Sequence, residues 1–352
     1  MRHVRLLPVA PRPFEDELLT SWQCRVTCRY SSTPPQIEVW LGGPPTPMRE
    51  SFKARDFQPD KDMTWRWAHA SRLKEHDLQR LALCDLERPE ECYVTNPLDR
   101  GVCPVCLDED AEKGSDHYCR RNWAHVEAAV CEEHGVALQS ACQCCFRSGL
   151  FQFRSMPDGV RLVCPSCTSV ISERRGRQPR QDRLLESMSA ITEAIDGKGF
   201  QLDTVIAASD FLWAPQPHGL PYITRLGISL PYGRAPRPPA SLSALPLAWR
   251  AASIEAVAEL AGLIDRREIG NVPTFAHKAF RNSRGGEEEP APKNIVATAH
   301  ERAELQLRTD DDYRRLALDL LKSQAWKDMP SNTGRKKDCA IGRLMSRALS
   351  GG

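Results

Sequence analysis

Apolar residues recur at helical spacing in the first hundred residues, and proline-rich joints interrupt the pattern. Leu18, Leu19, Trp22 and Val26 fall on one face of a helix. The preceding segment, 14–17, carries acidic residues where the dipole of a helix N-terminus favours them, so we expect the helix to begin at Phe14. Shorter patterns predict helices over 36–41, 65–73 and 77–83.

Four tryptophans fall in or beside these helices, and we expect them to form the core of the bundle: Trp22, Trp40, Trp65 and Trp67. Short helices around such a core are typical of a helix-turn-helix-like bundle. An ordinary helical bundle, without a surface that reads a groove, is an equally good interpretation.

The rest of the chain divides by composition. Residues 101–172 are rich in cysteine, and residues 173–246 form a basic, proline-rich connector with one predicted helix at 182–195 and eight prolines between Trp213 and Pro246. Residues 247–352 are predicted to be helical, with an apolar stripe that starts at Ile254 and further helices at 296–307 and 310–322. With residues 1–100, this gives four predicted regions.

Hydropathy and charge exclude several classes of protein. No apolar run approaches the roughly 20 residues of a membrane-spanning helix, and the stretch Leu6–Ala10 is too short for a signal peptide, so we expect a cytoplasmic protein. A net charge of +2 does not support binding of nucleic acid through bulk charge. Only local basic patches could contact DNA: the tail 335–347 and the segment with Arg174, Arg175, Arg177, Arg180 and Arg183. Solvated linkers are the alternative interpretation.

Cysteine is the most informative residue. Of the 14 cysteines, nine lie between Cys103 and Cys167. Without a secretory signal, disulfides are not expected, and clustered cysteines then indicate metal ligands. They form four pairs at short spacing, one of which is completed by a histidine: Cys103 and Cys106, Cys131 and His134, Cys142 and Cys145, Cys164 and Cys167.

Sequential pairing predicts two structural zinc ions, one held by three thiolates and an imidazole and one by four thiolates. Two alternatives stay open at this point. The first pair could combine with the third, and Cys144 could replace Cys145. Three neighbouring residues, His117, Cys119 and His125, are expected to be ordinary surface or core residues.

Motifs of common enzyme classes are missing from the sequence. It has no phosphate-binding glycine loop, no dinucleotide fingerprint and no nucleophile elbow. His125 and Glu127 match the H-x-E of zinc deaminases, but the cysteine pair and its proline stand in the wrong order. We therefore predict a protein that is not an enzyme.

Two stretches resemble the TniQ family of transposon target-selection proteins. The first is Pro11–Arg25, with its acidic turn followed by Ser-Trp-x-x-Arg. The second combines Cys103-Pro104-Val105-Cys106, a tryptophan at 123, Cys131-x-x-His134-x-x-x-Leu138 and the pair at 142 and 145. The extra Cys144 departs from the family pattern.

The resemblance implies a mostly α fold with a small zinc-stabilised irregular or β module. It implies a helix-turn-helix-like domain (1–100) and a double zinc-binding domain (101–172). The connector (173–246) and the helical C-terminal region (247–352) are predicted from composition and periodicity.

The implied function is a non-catalytic transposition adaptor. Its partners would be the transposon AAA+ ATPase, a target-recognition component, and DNA within the assembly; a homodimer stays open. A stand-alone zinc-containing DNA-binding transcriptional regulator is the alternative. On the N-terminal bundle, Arg25 and Arg29 are predicted to contact a partner protein. An equally good prediction for Arg25 is a structural role, in which it binds a carboxylate and so connects the bundle to the zinc domain.

Overall fold

The computed structural model describes residues 4–45, 55–57, 59–86, 88–147, 149, 151–172, 179–197, 200–216, 219–228, 230–231, 236–264 and 272–284. These residues belong to one compact unit, 1–286. The predicted helices at 296–307 and 310–322, the basic tail, and Arg174, Arg175 and Arg177 lie outside the described residues. No helix in these described ranges is long and apolar enough to cross a membrane.

The described part is mostly helical with one small antiparallel sheet, as predicted. Its helices are α1 (Leu19–Cys28), α2 (Pro34–Trp40), α3 (Lys61–Ser71), α4 (Glu75–Gln79), α5 (Pro89–Cys92), α6 (Pro104–Glu112), α7 (Asp182–Asp196), α8 (Phe200–Leu212), α9 (Leu247–Leu260) and α10 (Thr274–Ser283). Its strands are β1 (Gln152–Met156) and β2 (Gly159–Val163). Short 3-10 turns lie at Pro97–Asp99, Arg121–Ala124, Tyr222–Arg225 and Leu242–Ala244.

Local capping explains where the N-terminal helices begin. Thr33 and Gln36 form a capping box ahead of α2, which starts at a proline, and Asp60 accepts a hydrogen bond from the Met63 N–H at 2.8 Å at the start of α3. The expectation that α1 begins at Phe14 is wrong. Residues 14–17 form a turn instead, in which the Phe14 N–H donates to the Glu17 carboxylate at 3.2 Å.

The tryptophan core was predicted only in part. Trp22 and Trp67 are fully buried and meet edge to face, with ring centroids 5.7 Å apart. Trp40 and Trp65 are 39% and 40% exposed, so the prediction is wrong for both. Trp65 and Trp67 are two residues apart, about 200° around a helix, and therefore cannot both face the core.

Two apolar clusters fill the interior. The smaller one lies among α1, α2 and α3 and contains Trp22 and Trp67. The larger one runs from Leu18 through the cysteine-rich region to Phe280 on α10. It includes α7 and α8, whose apolar residues pack with α9, and Trp213 stacks edge to face on Trp249 at 5.9 Å. The apolar core therefore continues past residue 172 into the predicted connector, where α8 was not anticipated.

The hairpin of β1 and β2 carries the last cysteine pair. Its register pairs Gln152 with Val163 and Met156 with Gly159, which leaves a two-residue turn. On its outer side, β2 is bound by the chain around His117, whose N–H donates to the Val160 carbonyl at 2.9 Å. Cys164 follows directly at the end of β2.

Candidate metal centres and the Arg25 network

The first cluster brings together Cys103, Cys106, Cys131 and His134, whose ligand atoms all lie within 4.8 Å of one another. The Cys106 and Cys131 sulfurs are 3.6 Å apart. The His134 Nδ1 lies 3.3 to 3.6 Å from the three sulfurs. A tetrahedral zinc with bonds of about 2.3 Å to sulfur and about 2.0 Å to nitrogen would set its ligands roughly 3.5–3.8 Å apart. The four side chains therefore match that geometry.

The start of α6 presents the first pair. Cys103 is the N-cap of this helix, Pro104 is its first residue, and Cys106 lies in its first turn. Proline is favoured at that position because its fixed backbone angle suits a helix and its missing N–H would have had no partner. The turn closes with the Leu107 N–H on the Cys103 carbonyl at 3.2 Å, so both sulfurs are held by the helix itself.

The imidazole of His134 is oriented by a carboxylate. Its Nε2 lies 2.8 Å from Glu109 Oε1, one turn further along α6. A carboxylate bound to one ring nitrogen fixes the other nitrogen as the metal ligand and raises its basicity. Glu109 was not anticipated from the sequence, although a glutamate three residues after Cys106 on the same helix is the signal that could have identified it.

The second cluster contains Cys142, Cys145, Cys164 and Cys167, again within 4.8 Å. The Cys142 and Cys167 sulfurs are 3.5 Å apart, and the Cys145 and Cys164 sulfurs are 3.6 Å apart. The grouping is thus sequential, with the first two pairs together and the last two together.

Backbone amides and hydroxyls support the thiolate form in the second cluster. The N–H groups of Cys144 and Ser166 donate to the sulfurs of Cys142 and Cys164, each at 3.4 Å. Hydrogen bonds from Ser169 lower the pKa of Cys167 to about 6. Cys144 itself is exposed and outside the cluster, so its backbone takes part and its thiol does not.

Three of the four pairs share one backbone turn. The residue after the second member of each pair has positive φ: Gly135 at 67°, Phe146 at 57° and Thr168 at 57°. Its N–H donates to the carbonyl of the first member at 2.7, 2.8 and 2.9 Å, respectively. Positive φ favours glycine. Because Phe146 and Thr168 are not glycines, the sequence did not indicate this turn at their positions. Only Gly135 indicated it.

These residues fit two structural metal ions, consistent with the expected pair of zinc sites. Sulfur and imidazole are the donors that zinc prefers, and each cluster supplies four of them. A catalytic zinc usually has three protein ligands and an open position. The donor set therefore favours a role in folding over one in catalysis.

Arg25 lies at the centre of a buried ionic network and is only 1% exposed. Its Nε and Nη2 donate to the two carboxylate oxygens of Glu17, at 2.9 and 2.8 Å. Its Nη1 donates to Asp116 Oδ2 at 2.8 Å, and Nη2 also donates to the Arg12 carbonyl at 3.0 Å. The guanidinium lies 4.6 Å from the centroid of the Phe14 ring. All three nitrogens are thus satisfied inside the protein.

Asp116 connects this network to the cysteine-rich region. Its carboxylate also accepts from Arg29 Nη2 at 2.5 Å and from the Val160 N–H on β2 at 2.9 Å. Burial alone would raise the pKa of Asp116, but the Val160 N–H and the guanidinium groups of Arg29 and Arg25 hold it below its ordinary value. Of the two roles weighed for Arg25, this geometry favours the structural tie. Partner contact through Arg29, whose side chain is 30% exposed, stays a prediction.

His117, Cys119 and His125 lie outside both clusters. The Nδ1 of the buried His117 accepts a hydrogen bond from the Leu162 N–H at 3.1 Å. Burial, followed by the positive charge of Arg161, lowers the pKa of His117 to about 4.

The two described arginines of the basic segment are already paired. Arg180 Nε lies 2.6 Å from Asp182, and Arg183 Nη2 lies 3.2 Å from Glu255 on α9. Arg180 also packs its aliphatic stem over Gly135 of the first cluster. Their contact with DNA stays a prediction.

Comparison with known proteins agrees with the motifs. Residues 8–138 match the model of the TniQ family, a span that includes the Arg25 network and the whole first cluster. No curated protein matches the chain. The resemblance read from the sequence is therefore confirmed over this span, where residues 8–138 match the TniQ family model.

Proposed function

We propose that this protein is a non-catalytic adaptor in DNA transposition, which links target-site recognition to the transposon AAA+ ATPase and, through it, to the transposase. The TniQ domain over residues 8–138 carries the proposal, since that family indicates a transposition-associated adaptor role. The proposed role therefore rests on this part of the chain.

The architecture supports an adaptor. The two clusters each offer four protein ligands, as expected for sites that hold a fold together. Buried ion pairs from Arg25 to Glu17 and Asp116 then hold the N-terminal helices on the cysteine-rich region. Such a construction presents a fixed surface to other proteins.

The low net charge of the chain supports the proposal that its contact with DNA depends on partner proteins. The chain has a net charge of only +2, and Arg180 and Arg183 each face a carboxylate. A protein that binds DNA alone usually relies on several unpaired cations to displace counterions. We therefore assign DNA contact to the assembly rather than to this chain alone.

The direct test is a pull-down of the zinc-loaded protein with the AAA+ ATPase of the same transposon, followed by a transposition assay with and without this chain. We expect ATP-dependent retention of the ATPase and loss of insertion when the chain is omitted. An ATPase from an unrelated transposon is the control. Neighbouring genes for an ATPase and a DDE-type integrase would support the same conclusion.

The transcriptional-regulator alternative predicts the opposite pattern. It requires nanomolar, sequence-specific DNA binding without the ATPase, steeply weakened by salt. It also requires that binding fall when Arg174, Arg175, Arg177, Arg180 and Arg183 are changed to glutamine. That result, together with full transposition in the absence of this chain, would overturn the adaptor proposal.

A further inference from the structure

Helix α10 buries one face and turns a basic face to solvent. Ala276 and Phe280 are buried, and Ala279 is half-buried beside them. Lys278 lies two positions from both Ala276 and Phe280, which is about 200° around the helix, so its side chain points away from the core. Neither the metal clusters nor the span matched by the family model includes this helix.

The outward face carries positive charge and no carboxylate. Lys278 stands at its centre, and the exposed residues around it are Thr274, Phe275, Arg281 and Asn282. The helix contains no aspartate or glutamate. Among the residues that the structure describes, none forms an ion pair with Lys278 or Arg281. This distinguishes the two cations from Arg88, Arg121 and Arg180, which each pair with a carboxylate.

Contacts with two other helices hold α10 in place. The ring centroid of Phe280 lies 5.4 Å from that of Phe211 on α8. Just before the helix, the Val272 N–H donates to the carboxylate of Glu259 on α9 at 3.0 Å. The two cations are therefore carried by a packed helix rather than by a loop, which sets their positions before any ligand arrives.

The free positive charge selects an anionic partner, and the shape of the helix favours duplex DNA. A helix of this length is roughly 15 Å long and about 10–12 Å across. The major groove of B-form DNA is about 12 Å wide and admits a helix, whereas the major groove of A-form RNA is too narrow for side chains to read. The hydroxyl of Thr274 and the amide of Asn282 are groups that bind phosphate oxygens. Phe275, which is 53% exposed, adds an apolar surface of the kind that contacts thymine methyl groups.

We propose that α10 lies in the major groove of duplex DNA, where Lys278 and Arg281 each neutralise one phosphate. Two phosphate contacts are too few for tight binding, so this contact is weak, is independent of sequence and adds to others in the assembly. The choice of DNA as the anion rests on the proposed function, whereas the sign of the partner's charge rests on the helix alone.

The salt dependence of binding tests these contacts. Zinc-loaded full-length protein is titrated into a fluorescein-labelled DNA duplex of arbitrary sequence at several salt concentrations, and the anisotropy gives the association constant. The variant Lys278→Gln with Arg281→Gln should bind more weakly at low salt. Its slope of log K against log salt should be shallower by about two, close to one for each lost phosphate contact.

Two further variants separate position from charge. Arg180→Gln with Arg183→Gln removes the same charge from arginines that already face carboxylates, and it should leave the slope unchanged. Lys278→Arg with Arg281→Lys keeps both charges on α10 and should bind as the wild type does. Acetylation of Lys278 in the wild-type protein, followed by mass spectrometry, needs no substitution, and the duplex should slow it several-fold.

Several outcomes would overturn this contact. An unchanged slope in the Lys278 and Arg281 variant, or no binding by the wild type at the lowest salt, would remove it. Loss of slope only in the Arg180 and Arg183 variant would place the contact in the basic segment instead. Equal affinity for duplex RNA would contradict binding in the groove, and displacement by polyglutamate as readily as by unlabelled DNA of equal charge would indicate an acidic protein partner. If a variant fails to fold, acetylation of wild-type Lys278 that the duplex does not slow contradicts the contact by itself.

This contact and the adaptor role fail separately, because the DNA titration contains no ATPase and the ATPase pull-down needs no DNA. A protein that binds the duplex through α10 but retains no ATPase would count against the adaptor role alone. A protein that retains the ATPase, but whose salt slope does not depend on Lys278 and Arg281, would count against the DNA contact alone.

Discussion

The Nη1 of Arg25 lies 2.8 Å from the Oδ2 of Asp116, although 91 positions separate the two residues in the chain. The contact joins the first helix to the segment between the first two metal pairs. Because Arg25 and Glu17 are almost completely buried, this ionic network has no water to replace a missing partner.

Replacing Arg25 with alanine should lower the free energy of unfolding by about 3–5 kcal/mol, because Glu17 would be left buried without its counter-charge. Arg29→Ala is the matched control. It removes a half-exposed partner of the same Asp116 and should cost about 1 kcal/mol or less. Urea unfolding of the two variants checks this, and similar losses would contradict the network's importance.

Purified protein should contain about two zinc equivalents per chain, one for each cluster. Cys131→Ser should remove about one zinc equivalent and unfold the cysteine-rich region, since loss of a metal ligand removes folding energy. Cys144→Ser, at the exposed neighbour of a ligand, should keep both. Elemental analysis with circular dichroism measures this. Less than one equivalent in protein never exposed to chelator would refute the two sites.

His117 should make the protein less stable in mild acid. Its pKa is lowered to about 4 in the folded state from about 6.5 when unfolded, so the unfolded chain binds the proton first. The stabilisation is present above pH 6.5 and is lost as the pH falls towards 4, by about 3 kcal/mol in total. Charged residues nearby are Arg161, Arg120, Asp158 and Asp116.

The measurement compares unfolding of the wild type and His117→Gln at several pH values between 7 and 5. Acid also releases zinc from thiolates, and the comparison cancels that shared contribution. We expect the wild type to lose more stability than the variant across this range. Parallel curves would show that His117 does not titrate as described.

A side chain at Gly135 should destabilise the protein because of Arg180. It has a φ of 67°, and an added Cβ would lie 2.6 Å from the Cγ of Arg180. Gly114, with a φ of 69° and nothing within 4 Å of an added Cβ, is the matched control. Gly114→Ala should cost about 1 kcal/mol for backbone strain alone, and Gly135→Ala should cost more.

A double variant isolates the clash. Adding Arg180→Ala to Gly135→Ala should return the loss of stability to the level of Gly114→Ala, because the obstructing stem is gone. Thermal melts of the zinc-loaded proteins give the comparison. If the double variant is no more stable than Gly135→Ala alone, the steric explanation is wrong.

The sequence by itself determined the chemistry of the cysteine-rich region. A pair of ligands separated by two residues is set by one local turn, so the spacing at 103–106, 131–134, 142–145 and 164–167 predicted the four pairs, and the structure then selected Cys145 over Cys144. Helical periodicity similarly predicted α2 and α7, because a helix is fixed by bonds within its own segment.

Tertiary structure decided what depends on distant segments. Whether Trp40 and Trp65 face inward was set by how α2 and α3 pack, and the role of Arg25 was set by Asp116, which no local pattern connects to it. Periodicity and spacing report local bonding, whereas burial and ion pairing result from contacts between segments that are far apart in the chain.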